Sequence, residues 1–235
     1  MTFADQAIQF NEQLCYTGKK LPHGIRVMNP FKEFENVLQI SEIFYRKYYN
    51  DDNPRHLILG INPGRLGGGL TGIPFTDPKR LMNECGINYN GKIAHEPSSA
   101  FIYEMINAYG GADNFYKKFY INSACPLGFT AVDKNGKEKN YNYYDSKELA
   151  ETVKNFIIEN IKKLLTLNIY KDVCFCFGTG KNEKFLKNLN GEFHFFNKII
   201  ALEHPRFIMQ YKSATKQFYI EKYISAFKTA EEKSH

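Results

Sequence analysis

No stretch of this 235-residue chain approaches the roughly 18–20 consecutive apolar residues that a bilayer-spanning helix needs, so no membrane span is expected. Residues 1–15 carry no basic segment followed by an apolar run, which argues against a secretory signal. Cysteines are few: five, odd in number and unevenly spaced (Cys15, Cys85, Cys125, Cys174, Cys176). That pattern excludes a disulfide framework and fits reduced thiols in a cytoplasmic protein. Cys174 and Cys176 stand two apart in an apolar, strand-like run, so they should share one face. With no further ligands at regular spacing nearby, they read as buried, inert thiols rather than a metal or cluster site. Several phosphate and nucleophile signatures are missing as well. Gly60 is followed by Ile61 and Asn62, so GxGxxG fails, and no Gly-Lys-Ser/Thr follows the first strand. No GxSxG elbow is present either, which removes the usual hydrolase reading.

What is present suffices for one sizeable core: 43% of residues are hydrophobic, and no linker splits the chain, so residues 1–235 are expected to form a single domain. Lys and Arg outnumber Asp and Glu by 31 to 25, for a net charge of +6. This excess suits a nucleic-acid partner without singling one out.

Four apolar runs end in Gly, Pro, Asn or His and read as buried strands: residues 56–61, 118–121, 172–177 and 195–202. Helical spacing covers residues 31–48, 98–109, 145–167 and 213–228. In the third, Asp145 is the expected cap, with Glu148 reaching back as in a capping box. Residues 133–144 read as a polar surface loop. Strands alternating with helices predict an α/β fold, a three-layer αβα sandwich around a central, mostly parallel four-stranded sheet.

In such sheets ligands bind at the carboxyl ends of strands. Three of those ends present Asn62, Asn122 and His204. A glycine-rich loop follows the first (Gly64, Gly67, Gly68, Gly69 and Gly72), which allows backbone amides close to a ligand.

The run Gly60-Ile61-Asn62-Pro63-Gly64, then Thr71-Gly72-Ile73-Pro74-Phe75, resembles the first motif of single-strand-selective monofunctional uracil-DNA glycosylases. Asn122-Ser123-Ala124-Cys125-Pro126-Leu127 is similar to that family's second motif with one residue added, and Glu203-His204-Pro205 to its third. The added residue leaves the correspondence open between Asn122 and Ser123. After Pro205 the chain reads Arg206-Phe207-Ile208-Met209-Gln210-Tyr211-Lys212, which departs from the family's wedge and suggests a divergent bacterial-type branch.

The resemblance implies a monofunctional enzyme that flips a uracil or related damaged base out of DNA and hydrolyses its N-glycosidic bond. It implies roles too. Asn62 would orient the attacking water, and His204 would donate to the departing base. Phe75 would stack on that base, with Gly60, Ile61, Gly64, Asn122 and Ser123 lining its site. The amide of Asn122 carries both donor and acceptor and so could read uracil's edge. Related enzymes place a bulky Tyr where Gly64 stands, so the resemblance implies a roomier pocket. Asp77 is the carboxylate nearest the loop in sequence. DNA contacts would come from Arg65, Lys79, Arg80, Arg206, Gln210, Tyr211 and Lys212, with the wedge somewhere in residues 206–211. No Lys stands where a Schiff-base nucleophile would be needed, and no metal or redox cofactor is implied. The expected partner is DNA, and the expected state a monomer. The rival reading is a non-catalytic protein of the same fold that binds damaged or single-stranded DNA. A pure binder would not need a donor to a leaving group, so His204 weighs against it.

Overall fold

The computed structural model describes residues 1–232. Its centre is a four-stranded, wholly parallel sheet of β2 (Arg55–Gly60), β3 (Phe119–Ser123), β6 (Ile169–Phe177) and β7 (Lys198–Leu202), in the order β3-β2-β6-β7. Every residue of β2 and β3 is buried, as expected of central strands covered on both faces. Side chains alternate across the sheet. Phe119, Ile58, Phe175 and Phe177 share one face, by the register Ile58↔Phe175 and His56↔Phe119. Helices α6 (Pro97–Tyr109) and α11 (Lys216–Glu231) cover that face: Tyr223 and Phe227 of α11 pack on Phe101, Phe119, Phe175 and Phe177. The opposite face carries Tyr120, which packs on Phe3 of α1 (Phe3–Gln13) and Tyr45 of α3 (Val37–Tyr48). The αβα sandwich and its sheet are as the sequence predicts.

A second sheet lies outside that expectation. It is antiparallel, three-stranded, and ordered β1 (Ile25–Met28), β4 (Gly128–Val132), β5 (Glu138–Tyr141). Thus residues 133–144 are not simply a surface loop. β5 pairs with β4 as a hairpin, from Phe129↔Tyr141 to Val132↔Glu138, closed by a turn through Asn135-Gly136, where Gly136 takes φ +73.

Other boundaries are corrected too. The helix expected over residues 31–48 breaks into α2 (Pro30–Glu33) and α3, because the chain turns extended at Phe34, which is left exposed. α8 (Lys147–Leu164) is capped by Ser146, whose hydroxyl accepts from Leu149 N at 3.1 Å. Asp145 instead accepts from Asn142 N at 2.8 Å, so there is no Asp145–Glu148 capping box. The fourth strand starts at Lys198, since Phe196 N is diverted to Asn190 Oδ1 at 2.8 Å. Residues 213–215 form a 3₁₀ turn before α11. Residues 206–211 form most of α10 (Pro205–Tyr211).

Candidate active site

The carboxyl ends of β2 and β3 and the turn after β7 surround one cavity. Its lining includes Ile61, Asn62, Gly64, Phe75, Glu96, Ser123, Asn140, Asn142, His204 and Arg206. β2 stops at Gly60, where a Cβ would lie 2.7 Å from Cε2 of Phe75. The missing side chain lets the ring rest directly on the strand end. Phe75 itself has φ +53, a left-handed conformation unusual for an aromatic residue. Strain of this kind persists only when neighbours hold it, and here Thr71 Oγ1 donates to Thr76 O at 2.7 Å across the same turn. The ring meets Phe177 at 5.6 Å and His204 at 5.7 Å between centroids.

Asn62 is fixed by the second sheet. Its Nδ2 donates to Tyr141 O at 3.3 Å, and its Oδ1 accepts from Tyr143 N at 3.1 Å. Tyr143 is fully buried, and its hydroxyl donates to Asn182 Oδ1 at 2.7 Å. Asn182, in α9 (Lys181–Phe193), returns that anchor to the central sheet by donating to Phe177 O at 3.1 Å. One donor site and one lone pair of Asn62 stay available for a water.

His204 is the N-cap of α10, and its Nδ1 accepts from Arg206 N at 3.1 Å. That bond makes Nδ1 the acceptor nitrogen, so the ring proton sits on Nε2. Burial, and secondarily the positive charge of Arg206, depress its pKa to about 4. Near neutral pH the imidazole is therefore an uncharged N–H donor.

The strand alternation separates Asn122 from Ser123. Ser123 lines the cavity. The Asn122 side chain points to the other face, where its Nδ2 donates to Tyr120 Oη at 3.0 Å and its Oδ1 accepts from Ser123 N at 2.7 Å. It borders a small adjoining cavity beside Phe10, Asn11 and Tyr45, whose lining shares Pro63, Gly68, Pro74 and Ser123 with the first. The structure thus takes the Asn122 side chain out of this cavity's lining and leaves Ser123 in it.

Gly64 does line the cavity, but the space beside it is filled. A Cβ on Gly64 would lie 2.8 Å from Glu96 Oε1, and one on Gly67 would collide with Glu96 Oε2. Glu96 escaped the sequence reading, for nothing local marks it out. Asp77, the nearest carboxylate in sequence, is wholly buried and structural. It caps α5 (Pro78–Asn83) through Arg80 N at 2.9 Å and accepts Glu96 N at 2.7 Å. Asn140 and Asn142 were missed because residues 133–144 looked like a solvated loop.

Among the basic residues, Arg65 is drawn to Glu138 at 3.6 Å, and its backbone N–H to Asn140 Oδ1 at 3.0 Å. Arg80 is tied inward, 3.6 Å from Asp77 and 2.9 Å from His95 Nδ1. Lys79, Arg206 and Lys212 are exposed, and no ion pair engages them among the described residues. On α10, Phe207 and Tyr211 stand 42% and 64% exposed with ring centroids 5.4 Å apart, while Ile208 between them is buried. Gln210 Nε2 donates to Tyr211 Oη at 2.9 Å.

A family model described as the uracil DNA glycosylase superfamily matches residues 46–228. The chain belongs to that superfamily. Within it the chain is a member like the single-strand-selective monofunctional branch. It is 69% identical to wild-type Pedobacter heparinus SMUG2, whose crystal structure superposes with a TM-score of 0.97 over 99% of each chain. No curated protein matches.

Proposed function

We propose that the protein is a monofunctional DNA glycosylase that hydrolyses the N-glycosidic bond of uracil or a related deaminated base in DNA, in base-excision repair. The observation that carries this reading is the meeting of Asn62 and an uncharged His204 around one cavity floored by Phe75. As the glycosidic bond breaks, positive charge builds on the sugar and negative charge on the base. His204 Nε2–H is a preorganised donor for that negative charge, worth ~3–4 kcal/mol of barrier. Asn62 cannot take a proton, so it holds the water by hydrogen bonds while the cationic sugar does the rest. Phe75 stacks on the flipped base, and Ser123 offers its hydroxyl at the edge of the site. Lys79, Arg206 and Lys212 take DNA phosphates, and Phe207 or Tyr211 fills the gap left in the stack.

The test is incubation with oligonucleotides carrying a single uracil, 5-substituted uracil, hypoxanthine or xanthine, single- and double-stranded, followed by hot alkali. Cleavage of at least one deaminated-base substrate, lost in His204→Ala, is expected. No cleavage of any of them would overturn the enzyme reading in favour of a DNA-binding role.

A further inference from the structure

Glu96 sits in the cavity wall with a carboxyl that no described residue hydrogen-bonds. It precedes α6, and its backbone N–H is taken by Asp77. Its Oε1 fills the space beside Gly64, and its Oε2 the space beside Gly67. Among the described residues no protein group donates to either oxygen, although a half-buried carboxylate ordinarily collects such donors. Two glycines thus make room for a side chain that does no structural bonding and faces the same cavity as Asn62, Phe75 and His204.

From this placement we propose that Glu96 is a further catalytic residue, acting in its neutral form as an O–H donor to the base as it departs. The inference rests on the glycosylase reading above. The groups around Glu96 favour the neutral form. Burial, and then the negative charge of Asp77, push its pKa up to about 7, while Arg206 opposes them. Arg80, 3.6 Å from Asp77, offsets part of that charge, His95 Nδ1 accepts from Arg80 at 2.9 Å, and the neutral Asn140 amide of β5 lies beside the same space at Gly64 as Glu96. A neutral carboxyl can donate to a base gathering negative charge. An ionised one only accepts, and repels it.

The experiment compares wild type, Glu96→Gln, Glu96→Ala and Arg206→Gln in single-turnover excision from pH 5 to 9, on whichever deaminated base the wild type excises. Wild-type kcat/KM should fall above about pH 7 as Glu96 ionises, close to tenfold per pH unit. Glu96→Gln keeps an uncharged donor and should lose that fall, exceeding wild type at least tenfold at pH 9. Glu96→Ala should be at least tenfold slower than wild type at pH 6, with no alkaline fall. Arg206→Gln should move the midpoint upward. A ¹³C titration of the wild-type glutamate carboxyls should place one midpoint near 7; none above the ordinary carboxylate range would overturn the proposal without any turnover measurement. A Glu96→Gln profile that keeps the alkaline fall would also overturn it and leave the glycosylase reading intact. So would activity that rises through pH 7 and dies in Glu96→Gln, which marks an anionic base. A wild type inactive on every base overturns both.

Discussion

Tyr143 N–H donates to Oδ1 of Asn62 at 3.1 Å, and Asn62 Nδ2 donates on to Tyr141 O at 3.3 Å. The amide is therefore held in one orientation by two backbone groups of the segment at the end of β5. An aspartate could accept from Tyr143 but would set an oxygen against the Tyr141 carbonyl. Asn62→Asp is thus expected to be no better than Asn62→Ala, even though Asp could accept a proton. Each should lower kcat by ~10²-fold through a misplaced water. Single-turnover rates at saturating DNA check this; a faster Asn62→Asp enzyme would mean that the Tyr141 bond does not position the group.

The same clamp reaches the core through Tyr143. Tyr143→Phe keeps the ring and removes the hydroxyl donor, leaving Asn182 Oδ1 buried without its 2.7 Å partner. Loss of one buried partner costs ~1–3 kcal/mol. Urea denaturation should show a lower midpoint with an unchanged slope. The excision rate should fall while KM holds, because the binding surfaces on α10 are untouched.

His204 carries a pH signature of its own. Its folded pKa of about 4 lies below the ordinary 6.5, so the unfolded chain binds this proton more readily than the folded one. Its contribution to stability is therefore complete above pH 6.5 and is lost as pH falls through that value toward 4. Protonation also places a hydrogen on Nδ1, which breaks the bond to Arg206 N at the start of α10. Excision should therefore show an acid limb near pH 4 in wild type. In His204→Gln the limb should vanish and the rate should drop ~10²–10³-fold, the usual cost of one lost oxyanion donor.

The parallel sheet was legible because its strands are short apolar runs stopped by turn residues, and because burial on both faces removes polar interruptions. Asn62 and His204 stand just past such runs, whereas Phe75 is marked only by the resemblance of Thr71-Gly72-Ile73-Pro74-Phe75 to the family motif. The antiparallel sheet is marked in the sequence only by the Asn135-Gly136 turn of its hairpin. Glu138–Tyr141 reads Glu-Lys-Asn-Tyr, a polar segment that becomes a strand only by pairing with Gly128–Val132. Asn140 and Asn142 stayed unmarked with it, as did the clamp on Asn62. Asn122 was misplaced because the sequence shows which residues end a strand but not the face each one takes. A single position of register moves a side chain through the sheet, and it is Ser123 that shares a face with Gly60, by the pairing Gly60↔Ser123.

Phe207 and Tyr211 are the exposed aromatic pair of α10. They lie four residues apart on one side of α10, with Ile208 turned into the core as anchor, and Arg206 next to them lines the cavity. A side chain that fills the gap left by a flipped base acts on duplex DNA and has little to do in a single strand. Phe207→Ala and Tyr211→Ala should therefore reduce excision from a duplex at least tenfold more than from a single strand, for whichever of the two is the wedge. Arg206→Gln and Lys212→Gln should instead weaken both substrates alike, and each should flatten the salt dependence of duplex binding by ~0.9 in log–log slope. Binding and excision measured across a salt series separate the two roles. If Phe207→Ala and Tyr211→Ala each lower duplex and single-strand rates equally, the aromatic pair is structural and the wedge lies elsewhere.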